Sequence, residues 1–400
     1  MSITAETTTS AAAPTAKSRA TATIDAPRGL AGVVVAETSI GDVLGNEGRY
    51  HYRGHDAVEL AKTGDFERAW HLLVLGTLPD EDAAAGFRAR IAPLRTLPDS
   101  VHEFIARTPI DPLRGLQATL PVLAAARGAE SLYDLDEDGR IEEALAVAAA
   151  APGILAAFRR SQEAAGRSTG EPAAAAAANR LHTGTPANRG VVAEYLLRVT
   201  GREPDERAVR ALSAYLIATL DHGFNASTFT ARVIASTGAD MSSCIVGALG
   251  ALSGPLHGGA PSRALDALDA VGTPDRIESF LRGELSAGRR LMGFGHAVYR
   301  TSDPRSRLLR EIALEFGGSR VELAVEYEQA AERLLAEYKP GRDLHTNVEF
   351  YAAVVLEQCG IPREMFTPTF AMARTVGWTA HALEQARDPK IIRPSSRYVA

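Results

Sequence analysis

Apolar residues recur at intervals of three and four positions along most of this 400-residue chain, which places them on one face of an α-helix. The pattern predicts helices over most of the sequence, and the predicted fold class is mainly α, with short loops and no long linker after residue 28. The predicted helices are 56–76, 82–94, 98–107, 114–127, 140–160, 171–181, 187–200, 204–222, 227–237, 240–253, 262–270, 274–288, 304–316, 319–337, 347–359 and 363–387.

Two segments near the N-terminus depart from the helical pattern. Residues 33–40 are rich in valine and read as a strand, and residues 49–53 alternate like a second strand. The turn residues 46–48 between them predict a short β-hairpin. Residues 1–27 are rich in Ala, Thr and Ser and are predicted to be a disordered tail. This tail lacks the apolar segment of a secretory signal, and its few arginines make a mitochondrial transit peptide the weaker alternative.

Composition excludes several classes of protein. Hydrophobic residues make up 46% of the chain and charged residues 23%, which is typical of a soluble globular protein. The net charge of −6 disfavours a nucleic-acid binder. Two cysteines, Cys244 and Cys359, cannot build a disulfide framework, and no helix carries paired His/Glu ligands, so no metal site is expected. No run of 18 apolar residues is free of charge, so no membrane span is expected, and we expect a cytoplasmic protein.

Two glycine-containing segments place histidines at the ends of predicted helices. In 221–228, a helix ending at His222 meets a new helix capped by Asn225 or Ser227. In 253–260, Gly-Pro ends a helix and places His257 on a tight turn before two glycines, where a ligand can approach the backbone closely. Taken alone, each segment also fits an ordinary helix stop or glycine-rich turn.

Three further segments combine charge with helix ends. In 293–305, His296 precedes Asp303 and Pro304, which start a helix with Arg305 in its first turn, a place suited to a carboxylate or phosphate. In 346–351, Thr346 or Asn347 caps a helix that carries Glu349 in its first turn. The helix dipole favours a negative charge there, so we expect the Glu349 carboxylate to be ionised, as a general base requires. Arg374 lies on a largely apolar helix and needs an anionic partner.

Together these segments resemble the signature segments of the citrate synthase family, in family order and across Gly29 to Arg397. The matching stretches are 29–33 with 52–54, 221–228, 254–260, 293–296 with 303–305, and 393–394. The resemblance implies a nearly all-α homodimer that condenses oxaloacetate with acetyl-CoA to citrate and CoA, without metal. It implies a large domain of 28–258 and 362–400 and a small domain of 259–361 that closes over the substrate.

The resemblance also implies a role for each site residue. His257 matches the histidine that stabilises the enol of the acetyl thioester, and His296 matches the one that polarises the oxaloacetate carbonyl. Glu349 lies where the family usually has the aspartate that removes the methyl proton. The residues that match the holders of the substrate carboxylates are His222, Arg305, Arg374 and, from the partner subunit, Arg393.

Two positions depart from the family pattern. Glutamate replaces aspartate at Glu349, which moves the carboxylate by about 1 Å, and Pro261 stands where asparagine is common. Three alternatives stay open: a 2-methylcitrate synthase that uses propionyl-CoA, a non-catalytic paralogue that binds CoA or carboxylates, and an unrelated helical scaffold. One methylene changes specificity by only about 1–3 kcal/mol, so the sequence does not separate the first alternative from the leading hypothesis.

Overall fold

A computed structural model describes residues 23–167, 189–255, 257, 261–296, 298–299 and 301–399. In these ranges the chain forms sixteen α-helices and one small antiparallel sheet, which confirms the mainly α fold class. The strands are β1 (Gly41–Leu44), β2 (Arg49–Tyr52) and β3 (His55–Asp56). The helices are α1 (Ala57–Thr63), α2 (Phe66–Leu75), α3 (Glu81–Ile91), α4 (Asp99–Arg107), α5 (Pro112–Arg127), α6 (Glu137–Arg167), α7 (Val191–Thr200), α8 (Glu206–Ala218), α9 (Ala226–Ala235), α10 (Met241–Leu252), α11 (Pro261–Val271), α12 (Ile277–Ser286), α13 (Pro304–Phe316), α14 (Ser319–Tyr338), α15 (Val348–Gln358) and α16 (Phe366–Ala386).

The predicted hairpin is present, but its first strand is displaced. β1 pairs with β2 in antiparallel register, and the turn lies at 45–48. The expectation of a strand at 33–40 is wrong, because the strand begins only at Gly41. Val34 is 84% exposed, and valine-rich backbone without a strand to pair with does not form a sheet. Tyr50 and Tyr52 are buried and donate to the carbonyl oxygens at the end of α8, which docks the hairpin there.

Helix boundaries differ from the prediction where a local residue interrupts the pattern. The predicted helix 56–76 is two helices, because Gly64 adopts φ 69° and Asp65 then caps α2 by accepting from the backbone of Arg68. The predicted helix 204–222 ends at Ala218, four residues before His222. The predicted helix 171–181 lies outside the described residues.

The interior of α6 forms the centre of the hydrophobic core. Its residues 144–158 are almost all buried, as expected for a helix that is apolar on every side. Within the described chain, Glu137–Ala164 is the one helix long and apolar enough to cross a membrane by length and composition. In its most apolar stretch of 18 residues, 83% is buried inside the protein, as in a core helix.

Three helix starts carry the candidate site, and each has a polar cap. Asn225 accepts from the backbone of Thr228 at the start of α9, and Asp303 caps α13. Asn347 accepts from the backbone nitrogen of Glu349 at 3.0 Å and caps α15. α13 packs against α15, and α9 packs against α16; residues at all three starts line one cavity.

The terminal segments form a unit of their own. Its described residues are 23–37 and 393–399, and the ion pair of Arg397 with Asp25, at 2.8 Å, lies within it. Of the predicted tail, residues 23–27 carry no helix or strand, and the rest lies outside the described residues. Residues 38–392 form the other unit. The predicted domain boundaries at 259 and 361 stay a prediction.

Candidate active site

One cavity of about 630 Å³ brings together six of the seven predicted site residues. These six are His222, His257, His296, Arg305, Glu349 and Arg374. The seventh, Arg393, is not among the lining residues and belongs to the terminal unit. Much of the remaining wall is apolar or aromatic: Val43, Tyr215, Phe224, Val298, Val348, Ala352 and Phe370.

Arg305 is fixed by a carboxylate two residues earlier in the chain. Its Nε and Nη2 donate to Asp303 at 3.0 Å and 2.8 Å, and both side chains are buried. Burial raises the pKa of Asp303, but the Arg305 guanidinium outweighs it and holds that pKa below the usual value. Asp303 also accepts from the backbone nitrogen of Val348 at 3.0 Å. One carboxylate therefore orients the cation and joins α13 to α15.

The hydrogen bonds of His296 fix its tautomer. Its Nδ1 accepts from the backbone nitrogens of Val298 and Tyr299 at 2.9 Å and 3.1 Å, so the ring proton of the neutral form lies on Nε2. Burial, reinforced by the positive charge of Arg305, lowers the pKa of His296 to about 4, so the ring is neutral at pH 7. Nε2 lies 3.2 Å from Nη2 of Arg305, which is also a donor. These two donors can share an acceptor such as a carbonyl or carboxylate oxygen.

His222 lies beside this pair and is also neutral. Its Nε2 is 2.9 Å from the hydroxyl of Tyr299, and its ring centre is 5.5 Å from that of His296. Burial lowers the pKa of His222 well below its usual value, and the charges of Arg305 and Arg374 lower it further. A neutral imidazole here binds an anion by hydrogen bonding and not by charge.

His257 is held from the start of α9. Its Nε2 lies 2.8 Å from the hydroxyl of Ser227, which also receives the indole N–H of Trp378 at 3.2 Å. Burial, followed by the charge of Arg374, lowers the pKa of His257, which favours the neutral ring. The same serine hydroxyl lies 2.7 Å from the side-chain oxygen of Asn225, so Ser227 connects the histidine to the cap of α9.

Glu349 occupies the first turn of α15, as predicted, and burial shifts its ionisation. Burial raises its pKa to about 7, against a partial lowering by Arg305, while Asp303 raises it further. Desolvation therefore opposes the effect of the helix terminus, and with a pKa of about 7 the carboxylate is about half ionised at pH 7. A carboxylate with a pKa near 7 is well suited to general base catalysis at neutral pH.

Arg374 is buried on α16, and its partners come from the end of α8. Its Nε donates to the carbonyl oxygen of Thr219 at 3.0 Å, and its guanidinium lies over the ring of Phe370. Burial lowers the pKa of Arg374, and the negative charge of Asp221 opposes that effect. Gly377 permits the close approach of α16, because a Cβ there would lie 2.1 Å from the carbonyl oxygen of Leu220.

Sequence reasoning missed three residues of the site. Ser227 appeared only as a capping candidate, and Asp303 only as a cap, although their contacts with His257 and Arg305 carry chemistry. Tyr215 lines the cavity from an apolar turn of α8 and gives no local signal. Its place in the site depends on the packing of α8 against α15 and α16.

The described part of the chain holds no group of three His, Cys, Asp or Glu side chains that could bind a metal ion. Cys244 and Cys359 are both buried, and burial raises the pKa of each thiol.

The chain is similar over nearly its whole length to proteins of one family. Residues 29–395 match the family described as citrate synthase, C-terminal domain. A putative citrate synthase 2 of Mycobacterium tuberculosis is 41% identical over 372 residues, which cover 93% of this chain and 92% of the relative. A 2-methylcitrate synthase of Shewanella oneidensis is 34% identical over 378 residues, covering 93% and 94% of the two chains.

Solved structures agree with this relationship. The citrate synthase of Thermoplasma acidophilum, in a ternary complex with carboxymethyl coenzyme A and oxaloacetate, superposes with a TM-score of 0.80 at 26% identity. The superposition covers 93% of this chain and 96% of that structure. By sequence and by fold, the chain belongs to the citrate synthase family, whose members are enzymes of acyl-CoA condensation.

Proposed function

We propose that this protein condenses acetyl-CoA with oxaloacetate to give citrate and free CoA. The observation that carries the proposal is the arrangement of His296 and Arg305, whose donor atoms lie 3.2 Å apart in the cavity that also holds Glu349 and His257. Two converging donors stabilise an oxygen that gains negative charge, as the keto oxygen of oxaloacetate does during carbon–carbon bond formation. The same cavity supplies a base for the second substrate.

Enolisation of the thioester falls to Glu349 and His257. A thioester methyl is a very weak acid, so the carboxylate needs a donor at the thioester oxygen while it takes the proton. We assign this donor role to the imidazole of His257, which burial keeps neutral in the same cavity as Glu349. The pKa of Glu349 near 7 gives a base that is partly ionised at neutral pH and strong enough to accept the proton.

The remaining cations and donors suit a dicarboxylate. Arg305 and Arg374 lie in the same cavity as His222, and arginine binds carboxylates through two parallel hydrogen bonds. We assign these three residues, with Arg393 of the partner subunit, to the carboxylates of oxaloacetate. After the new bond forms, water attacks the thioester, the carbon–sulfur bond breaks, and CoA leaves as the thiol. Closure of the small domain 259–361 over the large domain would exclude bulk water until that step.

Release of the CoA thiol tests the proposal. Purified protein is incubated with acetyl-CoA, with and without oxaloacetate, and the free thiol is followed by a chromogenic reagent. We expect release that depends on oxaloacetate, with citrate as the product by mass spectrometry. The absence of oxaloacetate-dependent thiol release with every thioester tested would contradict an enzymatic role and would favour a non-catalytic paralogue.

The second candidate function is 2-methylcitrate synthesis from propionyl-CoA, which the similarity to the Shewanella oneidensis protein favours. The two activities differ by one methylene in the acyl pocket, so the assay is run with both thioesters and compared by kcat/KM. A higher kcat/KM for propionyl-CoA would replace the leading proposal with this one.

We further propose a cytoplasmic homodimer that works without metal or bound cofactor. The proposed role of Arg393 requires a second subunit, because the resemblance to the family assigns this residue to the site of the partner. Sedimentation measures whether the protein is a dimer. The Arg393→Ala substitution is expected to raise the KM for oxaloacetate without dissociating the dimer. Full activity in a monomer would contradict the shared site, and loss of activity on treatment with EDTA would contradict metal independence.

A further inference from the structure

The turn of the β1–β2 hairpin lies directly against the segment that carries His296. A Cβ at Gly45 would lie 2.5 Å from the carbonyl oxygen of Val298 and 3.1 Å from its carbonyl carbon. A Cβ at Gly48, at the other end of the turn, would lie 2.7 Å from Oγ1 of Thr301. Because a Cβ atom cannot approach backbone atoms this closely, the contact between the hairpin and Val298 requires a residue without a side chain at position 45.

Val298 takes part in fixing the tautomer of His296. Its backbone nitrogen donates to Nδ1 of His296 at 2.9 Å, and the backbone nitrogen of Tyr299 donates to the same atom at 3.1 Å. Tyr299 has anchors of its own, because its side chain is buried and its hydroxyl lies 2.9 Å from Nε2 of His222. Val298 is 45% exposed, so burial of its side chain does not hold it. The contact with Gly45 is made instead by its backbone.

The hairpin is the firmly held side of this contact. Tyr50 and Tyr52 of β2 are each 1% exposed, and their hydroxyls donate to carbonyl oxygens at the end of α8 at 3.0 Å and 2.9 Å. β2 is also paired on both sides, with β1 and with β3. A side chain added at Gly45 is therefore expected to displace Val298 and not the hairpin.

Arg305 favours the opposite tautomer of the His296 ring. Its Nη2 lies 3.2 Å from Nε2 of His296, so a ring with its proton on Nδ1 would accept a hydrogen bond from the guanidinium at Nε2. That bond would occupy Nη2 and remove the ring donor from the cavity. The two backbone N–H groups oppose this change, because a protonated Nδ1 cannot accept from them. The other titratable groups close to the ring are His222, Tyr299 and Asp303.

We propose that Gly45 is a positioning residue for His296: the hairpin turn holds the backbone of Val298, whose N–H group keeps the ring proton on Nε2. This inference rests on the proposed function only in assigning His296 as the donor to the keto oxygen. Val43 of the hairpin and Val298 both line the cavity, so the contact is part of the cavity wall. A strand turn remote in sequence thus determines whether the site presents two donors or a donor bonded to an acceptor.

The test compares Gly45→Ala with the matched control Gly54→Ala. Gly54 lies in the turn between β2 and β3, has no atom within 4 Å of its Cβ position and adopts φ 81°, which alanine disfavours. Gly54→Ala therefore strains the same sheet without touching Val298, and it is expected to lower the melting temperature and to keep kcat. In Gly45→Ala the Val298 backbone must retreat by about 1 Å, so we expect kcat to fall about 10–10²-fold with the KM for acetyl-CoA unchanged.

The ring nitrogens of His296 report its tautomer without turnover. Histidine is labelled with ¹⁵N in the full-length protein, and the signals of His296 are assigned by their absence in His296→Ala. In wild type and in Gly54→Ala we expect an unprotonated Nδ1 and a protonated Nε2. In Gly45→Ala we expect the two shifts to move toward one another as the second tautomer becomes populated. Unchanged shifts or an unchanged kcat in Gly45→Ala, or equal changes in Gly54→Ala, would overturn the inference.

A measurement on the wild-type protein keeps the inference testable if Gly45→Ala does not fold. With labelled valine methyl groups, assigned by means of Val298→Ala, we expect a nuclear Overhauser effect between Val298 and the α-protons of Gly45. The absence of this signal would overturn the inference. If the wild-type protein released no thiol, the proposed function would fail, whereas the ¹⁵N spectra would still decide the role of Gly45.

Discussion

Nε2 of His296 and Nη2 of Arg305 lie 3.2 Å apart, and both atoms are hydrogen-bond donors. Two backbone N–H groups bonded to Nδ1 fix this arrangement, because they leave the ring proton on Nε2. Two donors facing one another are mutually unfavourable until an acceptor oxygen binds to both. The protein therefore holds donors in place before the charge they stabilise has formed.

Removal of the His296 donor tests this arrangement. His296→Ala is expected to lower kcat about 10²–10³-fold, as the loss of one preorganised donor to a developing oxyanion does. The KM for acetyl-CoA is expected to change little, because the imidazole is assigned to the other substrate. Steady-state thiol-release kinetics measure both quantities. His55→Ala, at an exposed histidine of β3, is the control and is expected to keep full rate. An active His296→Ala variant with only a raised KM would assign His296 to binding alone.

The pKa of Glu349 predicts the pH dependence of both activity and stability. Because that pKa is about 7, kcat is expected to rise with pH through a midpoint near 7. The ordinary pKa of glutamate is 4.5, so between pH 4.5 and 7 the folded protein binds more protons than the unfolded chain, and its stability falls as pH rises.

Two variants of Glu349 separate these effects. Glu349→Gln is expected to abolish turnover and to raise the free energy of unfolding by up to about 3 kcal/mol at pH 8, with no gain at pH 4. Glu349→Asp keeps the base but moves it by about 1 Å, so we expect about a 10²-fold loss in kcat. Denaturant titrations at the two pH values measure the stability change. Equal stability of wild type and Glu349→Gln at pH 8 would show that the carboxylate is not desolvated.

The buried pair of Asp303 and Arg305 is expected to be sensitive to loss of either partner. Asp303→Asn leaves a guanidinium that is 3% exposed without its counter-charge, at an expected cost of about 3–5 kcal/mol in the free energy of unfolding. The KM for oxaloacetate is expected to rise, because Arg305 loses its orientation. Glu81→Gln, which breaks the exposed pair with Arg68, is expected to change stability little. Similar melting temperatures for the two variants would contradict a structural role for Asp303.

Gly377 is expected to tolerate no side chain. In Gly377→Ala the new Cβ would lie 2.1 Å from the carbonyl oxygen of Leu220, so α16 must move away from the segment that leads to His222. We expect a loss of about 1–3 kcal/mol in stability and a higher KM for oxaloacetate, because Arg374 moves with the helix. Gly283→Ala, in α12 with no atom within 4 Å of its Cβ, is the control and is expected to stabilise by about 1 kcal/mol. A neutral Gly377→Ala would contradict this account.

The sequence predicts those parts of the site whose signals are local. Asn225, the Asp303-Pro304 pair and Asn347 are capping residues that mark helix starts, and His296, Arg305 and Glu349 lie beside them. Gly64 divides a predicted helix because it adopts a left-handed conformation and Asp65 then caps the next helix. Periodicity alone does not show this break.

The remaining features depend on contacts between distant segments. Tyr215 reaches the cavity only because α8 packs on α15 and α16, and Ser227 contacts His257 across a helix hairpin. The raised pKa of Glu349 is not predictable from the sequence, because the helix terminus is a local effect, whereas the desolvation comes from the whole folded cavity. The strand expected at 33–40 fails for the same reason, since a strand needs a neighbour to pair with.

The contacts of Asp303 have a consequence for protein engineering. Its carboxylate binds Arg305 and also the backbone nitrogen of Val348, so one side chain fixes the position of the cation relative to the helix that carries the base. In a mutational library that aims at larger acyl groups, positions that can be varied are therefore distinct from a position that must be kept. Ala352 lines the cavity and carries no charge, so it can be varied, whereas Phe370 lies against the guanidinium of Arg374 and is better kept. Position 303 has to stay constant, because any change there alters two substrate sites at once and makes the effects of other substitutions non-additive.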